Sequence, residues 1–257
     1  MSNLQYEVKE HVATLIINCP PANALSTRLL KELSQTLDKV EVDSSIKVVV
    51  IKGEGRFFST GADIKEFTSL QSEADTERLA KKGQNLFDRI EQFPIPVIAS
   101  IHGAALGGGL ELAMACHIRI VTEEAKLGLP ELNLGIIPGF AGTQRLPQFV
   151  GLAKAYEMIL SGQPITGKEA VQLGLANHAV KEDDLVKKTE TLAKSIASKS
   201  KPSIERIMQL IPYAKTSEFA MGVEKEAKLF SEIFTTEDAK EGVQAFIEKR
   251  QPNFKDK

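Results

Sequence analysis

Short apolar runs alternate with longer amphipathic stretches through the first two-thirds of the chain. VATLIIN (12–18), KVVVIKG (47–53), PVIASIHG (96–103) and HIRIVTEE (117–124) are brief and rich in β-branched residues, a length and composition that predict strands. Between them the apolar period changes. Across 26–40, Leu29, Leu30, Leu33, Leu37 and Val40 fall on one helical face, with Ser26 available as N-cap. Across 76–93, Leu79, Leu86, Phe87, Ile90 and Phe93 do the same, and Pro94 marks the stop. Strand and helix in alternation predict an α/β protein with largely parallel pairing. The N-terminal MSNLQYEVKEHVATLIIN carries acidic residues early and lacks an apolar stretch ending in a cleavage site, so it reads as the first strand of a mature domain.

From about residue 183 the strand signal fades. Residues 184–200, 201–216, 217–234 and 237–250 all read as amphipathic helices. The expected division is a strand-containing core over 1–190 and a helical region over 191–257, whose apolar stripes must bury on their own core or against another subunit. Lys187, Lys188, Lys194, Lys199 and Lys201 alternate with apolar positions and read as a solvated helix face.

Composition narrows the classes. The 257 residues suffice for one large domain, or one domain with a small appendage, and 42% hydrophobic with 26% charged residues is ordinary for a protein with a real core. A net charge of -2 argues against a general nucleic-acid binder. No apolar run approaches the ~20 residues needed to span a bilayer. Cys19 and Cys116 match no metal or redox spacing and suggest a reduced compartment; His11, His102, His117 and His178 are scattered. The expectation is a soluble cytoplasmic protein without nucleic-acid or membrane partners.

Three stretches break the ordinary pattern. In FFSTGADIKEF (57–67), the small residues Thr60, Gly61 and Ala62 follow a predicted strand and permit close approach of a ligand to the backbone, or simply a tight turn capped by Asp63. In HGAALGGGLELAMAC (102–116), Gly107, Gly108 and Gly109 precede an apolar helix, so free N–H groups and the helix dipole both favour negative charge there. Glu111 lies three residues after Gly108, near the same face of the first turn, among Leu110, Leu112, Ala113 and Met114. Such company raises a carboxyl pKa toward neutrality, as proton exchange requires, although a glutamate merely complementing the dipole fits the pattern too. The glycine run matches neither GxGxxG nor a phosphate loop. In KLGLPELNLGIIPGFAGTQRL (126–146), Glu131 sits between Pro130 and Leu132, while Gly139, Ala141 and Gly142 again allow close approach. Taken singly, Glu131 is a surface glutamate; the signal is the conjunction of two apolar-flanked acids with two sets of presentable amides.

These stretches, together with the tail EGVQAFIEKRQPNFKDK, resemble the successive signatures of the enoyl-CoA hydratases of the crotonase family, from about residue 5 to the C-terminus. The resemblance implies the crotonase fold, an α/β spiral of repeated ββα units with a trailing helical region, assembled as trimers that usually pair into hexamers. It places two backbone donors for a thioester oxygen at Ala62 and Gly108. It assigns the acid/base pair to Glu111, mainly holding and activating water, and Glu131, donating a proton. It implicates Asn23, Ala24 and Leu25, the segment Ser59, Thr60, Gly61, Asp63 and Ile64, and Phe246 and Lys249 in binding substrate and its coenzyme A moiety, the last two often from a neighbouring subunit. Lys249 reads equally as a solvated lysine on a terminal helix. Phe58 and Thr60 depart from the alanine of many relatives. No cofactor is implied, since coenzyme A is part of the substrate. Retention of both acids resembles the hydratase pattern; the alternatives are a 2,3-enoyl isomerase or another acyl-CoA reaction, and, more distantly, a non-catalytic acyl-CoA- or RNA-binding relative.

Overall fold

The computed structural model describes residues 2–67, 72–214 and 216–257, so Met1 and Lys215, at the edges of two stretches read above, lie outside the described residues. The N-terminal stretch forms a hairpin, not one strand. β1 (Leu4–Lys9) and β2 (Val12–Ile17) pair antiparallel across Glu10 and His11, both at positive φ as a two-residue turn demands. β3 (Val48–Gly53), β4 (Val97–Ile101), β6 (Ile118–Thr122) and β9 (His178–Val180) then add parallel strands in the order β1-β2-β3-β4-β6-β9. β5 (Ala104–Leu106), β7 (Lys126–Gly128) and β8 (Ile165–Thr166) form a second, three-stranded sheet.

The two sheets grow together. β4, β5 and helix α4 (Gly108–Ala115) make one ββα unit; β6, β7 and α5 (Gly142–Ser161) make the next. Single parallel bridges, Leu25 to Ala62 and Ser59 to Ala105, carry the same stacking back through the turns that hold α1 (Thr27–Val42), α2 (Ile64–Phe67) and α3 (Glu73–Glu91). Each turn of this spiral adds a strand to both sheets. The bridged segment 59–62 and β5, which runs into Gly107, therefore lie beside each other.

The large sheet is buried on both faces, which is why its strands read as continuous apolar runs. Val49, Ile51, Val97, Ala99 and Ile101 point into the main core with Leu29, Leu33 and Leu37 of α1 and Leu86, Phe87 and Ile90 of α3. Val48, Val50, Ile98 and Ile120 point the other way, under Leu185, Ala193 and Ala197 of α7 (Leu185–Ala197). Residue 190 thus falls inside a helix that covers the sheet; the helices that leave it are α8 (Lys201–Leu210), α9 (Phe219–Phe234) and α10 (Glu237–Ile247). Between β8 and β9 runs α6 (Gly167–Gln172), held by a capping box of Thr166 and Glu169.

The end of the chain folds back onto this layer. The buried Asp238 carboxylate accepts from the Lys255 and Asp256 amides at 2.6 and 2.9 Å. Asp256 Oδ1 in turn accepts from the Lys201 amide at 2.8 Å and lies 2.7 Å from the buried Lys47 ammonium, which also donates to the Lys199 carbonyl. Among the described residues no helix is long and apolar enough to cross a membrane.

Candidate active site

Ala62 and Gly108 are adjacent because their strands are. A Cβ built on Gly108 would lie 3.3 Å from the Ala62 nitrogen, and one on Gly61 would lie 3.2 Å from the Gly108 nitrogen. The bridge from Leu25 to Ala62 uses the Gly61 carbonyl and the Asp63 amide, which turns the Ala62 N–H away from the pairing. Gly108 opens α4 and has no intrahelical acceptor for its amide. Neither amide donates a hydrogen bond among the described residues. Gly107 makes this entry possible: it takes φ 52 and ψ −128, and a side chain there would meet a Glu131 oxygen at 2.9 Å.

Glu111 projects from the first turn of α4 and is 1% exposed. Its Oε1 accepts from the Phe140 amide at 2.8 Å and the Gly142 amide at 2.7 Å. Between these donors Ala141 holds a left-handed conformation (φ 71), so two alternate amides converge on one oxygen as an anion-binding nest. For an alanine that backbone costs on the order of 1 kcal/mol, strain of the kind concentrated at functional sites. Burial pushes the Glu111 carboxyl up to about 7; the two amides and the Arg145 guanidinium pull against burial, and the charge of Glu131 adds to it.

Glu131 begins a short 3-10 turn (Glu131–Leu134) that Pro130 introduces. It is half-buried, and burial raises its pKa as well. Its Oε2 is buried without a hydrogen-bond partner among the described residues. A buried unsatisfied carboxyl oxygen is costly and calls for a reason such as chemistry. Both acids thus have raised proton affinity; Glu131 Oε1 lies 2.9 Å from where a Cβ on Gly107, the residue before Gly108, would be.

The remaining expected residues divide. Asn23 is buried, and its side chain accepts from the Cys19 amide and donates to the Glu54 and Phe57 carbonyls. Ser59 is buried too, donating to the Asn23 carbonyl at 2.8 Å, and Thr60 donates to Ala22 at 3.1 Å. These side chains hold the 22–25 segment, with half-buried Ala24 and buried Leu25, against the strand ending at Ala62. Asp63 accepts from the Lys65 amide, as a cap of α2, and Ile64 is exposed. Phe58 is wholly inside the core. Phe246, 85% exposed, lies on α10; Lys249 follows that helix at φ 55 and is not part of it, and no hydrogen bond or ion pair among the described residues joins either to the loops above. The nest at Phe140 and Gly142 was not predicted; its one sequence signal is the small residues Gly139, Ala141 and Gly142 around Phe140.

Two unbonded backbone amides, with one buried and one half-buried acid in the adjoining loops, have the donors and acids that a reaction building negative charge on a carbonyl oxygen while moving protons would use. The sequence pattern of the enoyl-CoA hydratase/isomerase family matches residues 7–257. The chain is 57% identical over 256 residues to a probable enoyl-CoA hydratase of Bacillus subtilis (strain 168), covering 99% of each, and 37% identical to a short-chain-enoyl-CoA hydratase of Clostridium acetobutylicum, covering 97% and 96%. A crystal structure of enoyl-CoA hydratase from Bacillus anthracis superposes with a TM-score of 0.94 at 36% identity, covering 99% and 100% of the two chains. The chain belongs to the enoyl-CoA hydratase/isomerase family and has the crotonase fold.

Proposed function

We propose that the protein is an enoyl-CoA hydratase, adding water in syn fashion to a trans-2-enoyl-CoA to give the 3-hydroxyacyl-CoA, as fatty acid β-oxidation requires. The observation that carries this reading is the pair of acids: buried Glu111 with a proton affinity near neutrality, and half-buried Glu131 with an unpartnered buried oxygen. A single acid would suffice to move a proton between two carbons; adding water asks for one group to take a proton and another to give one.

In this mechanism the Ala62 and Gly108 amides receive the thioester oxygen. Ionised Glu111 takes a proton from water as its oxygen bonds to C3, the π electrons pass to the thioester oxygen as an enolate, and protonated Glu131 delivers a proton to C2. As C2 takes that proton, the enolate's electron pair forms the C2–H bond and the thioester carbonyl is restored. One preorganised donor is typically worth ~3–4 kcal/mol of barrier. The two acids share the water and titrate as a pair. Coenzyme A enters as part of the substrate, with Asn23, Ala24, Leu25 and the 59–64 segment lining its path and Phe246 and Lys249 of a neighbouring subunit closing it; no separate cofactor takes part.

We also propose a cytoplasmic homo-oligomer, a trimer or dimer of trimers. Leu152, Tyr156 and Leu160 form an exposed apolar stripe on α5, and Ile136 and Ile137 are exposed too, which supports association. The test is loss of the conjugated-thioester ultraviolet absorbance of crotonyl-CoA, with product analysis on a 3-enoyl-CoA alongside. Rapid loss by the wild type, slowed about 10²-fold or more in Glu111→Gln and in Glu131→Gln, is expected. An inert wild type that isomerises the 3-enoyl-CoA would replace this reading.

A further inference from the structure

The loop that grips Glu111 is itself held by one face of α3. Gly83, Gln84, Phe87, Asp88 and Glu91 follow the spacing that brings residues to one side of a helix. Gln84 Nε2 donates to the Gly139 carbonyl at 2.9 Å. Gly83 leaves a notch for the Phe140 ring: a Cβ there would fall 2.3 Å from two ring atoms. The same ring meets Phe87 edge-on, with centroids 5.4 Å apart at 78°, and its far side lies 3.2 Å from where a Cβ on Gly108 would be.

Arg145 completes the attachment. It is 4% exposed and lies one turn into α5. Its Nη1 donates to the Phe140 carbonyl at 3.0 Å, its Nε and Nη2 to Glu91 at 3.0 and 2.9 Å, and its Nη2 also to Asp88 at 2.5 Å. One planar guanidinium therefore ties the residue whose amide binds Glu111 to two carboxylates of α3.

We propose that Arg145, acting with the Phe140 ring in the Gly83 notch, is a positioning residue for the reaction: it fastens loop 139–142 to α3 and so aims the Phe140 and Gly142 amides at Glu111 Oε1. It touches no reacting atom. The inference rests on the hydratase reading for its kinetic test only.

Arg145→Lys keeps the charge but replaces the fork with a single ammonium, which cannot serve the Phe140 carbonyl and two carboxylates in one plane. The expected result is a kcat on crotonyl-CoA about tenfold lower or more, with KM changed by less than about threefold, since a misplaced catalytic group costs rate before binding. In parallel, ¹³C NMR of the Glu111 carboxyl, assigned with Glu111→Gln, should show titration at higher pH than in the wild type, because loosened amides favour the charged form less. If Arg145→Lys does not fold, Gln84→Leu and Glu91→Gln loosen the same attachment from its outer side and are read in the same way. Folded variants with wild-type kcat and an unmoved Glu111 titration overturn the proposal, leaving Arg145 a merely structural residue. A wild type that does not hydrate, but whose Glu111 titration moves in the variants, sinks the hydratase reading and leaves the positioning role standing.

Discussion

Glu111 illustrates how far environment outweighs residue type. An ordinary glutamate releases its proton near pH 4.3, whereas this one, buried in α4 and held by two amides, does so near 7. The folded state then binds a proton that the unfolded state has already lost, so the group lowers stability progressively as pH rises from about 4.5 through 7. Glu111→Gln should accordingly be more stable than the wild type at pH 8, by on the order of 3 kcal/mol and with a higher Tm, and differ little at pH 4.5. Calorimetry at the two pH values checks this, and a lower Tm for the variant at pH 8 would contradict it. In activity, kcat/KM on the acid side should fall away below about pH 7 as the base is protonated, a limb that Glu111→Gln removes along with most of the rate. The candidate acids were legible in the sequence from their apolar neighbours. Their setting was not: the contact of Glu111 with residues 140 and 142 spans about thirty positions of chain, and no local spacing announces it.

At the level of elements, the spiral makes the site from strand ends. The turns after the second-sheet strands deliver Ala62 and Gly108, and their glycines set the clearance. A methyl on Gly61 would take an alanine to φ 103 and come within 3.0 Å of the Leu106 carbonyl; one on Gly142 would come within 2.8 Å of Glu111 Oε1. Gly61→Ala and Gly142→Ala should each lower kcat/KM about 10-fold or more while circular dichroism still reports a folded chain. Unchanged kinetics in either would mean that the loops have more slack than their contacts indicate. The long apolar strands and the amphipathic α1, α3 and α7 were readable because each buries a regular pattern, and α8 to α10 because they carry regular apolar stripes, although these stay largely exposed. The stretch from 142 to 180 was not. α5 carries Pro147 and breaks its helical geometry at Gly151 (φ 76), which interrupts the period, and β8 and β9 are two and three residues long, too short to show one.

For the whole molecule, stability rests on a sheet buried on both faces and on the closure of the C-terminal helices over its rim. Asp256 is the joint of that closure. Burial alone would raise its pKa, but the Lys47 ammonium and the Lys201 amide outweigh burial and hold it below the usual carboxylate range. Asp256→Ala should destabilise the protein by about 1–3 kcal/mol, since it leaves Lys47 buried with only a carbonyl for company. Urea unfolding measures it, and a variant within about 0.5 kcal/mol of wild type would show the contact to be dispensable. There is a practical corollary for anyone handling the protein. Residues 253–257 work as a buckle, so a fusion partner or label spliced beside them would tug at Asp256, and proteolytic cleavage just before them would open it. Labels belong at the other terminus, where Ser2 is exposed to solvent.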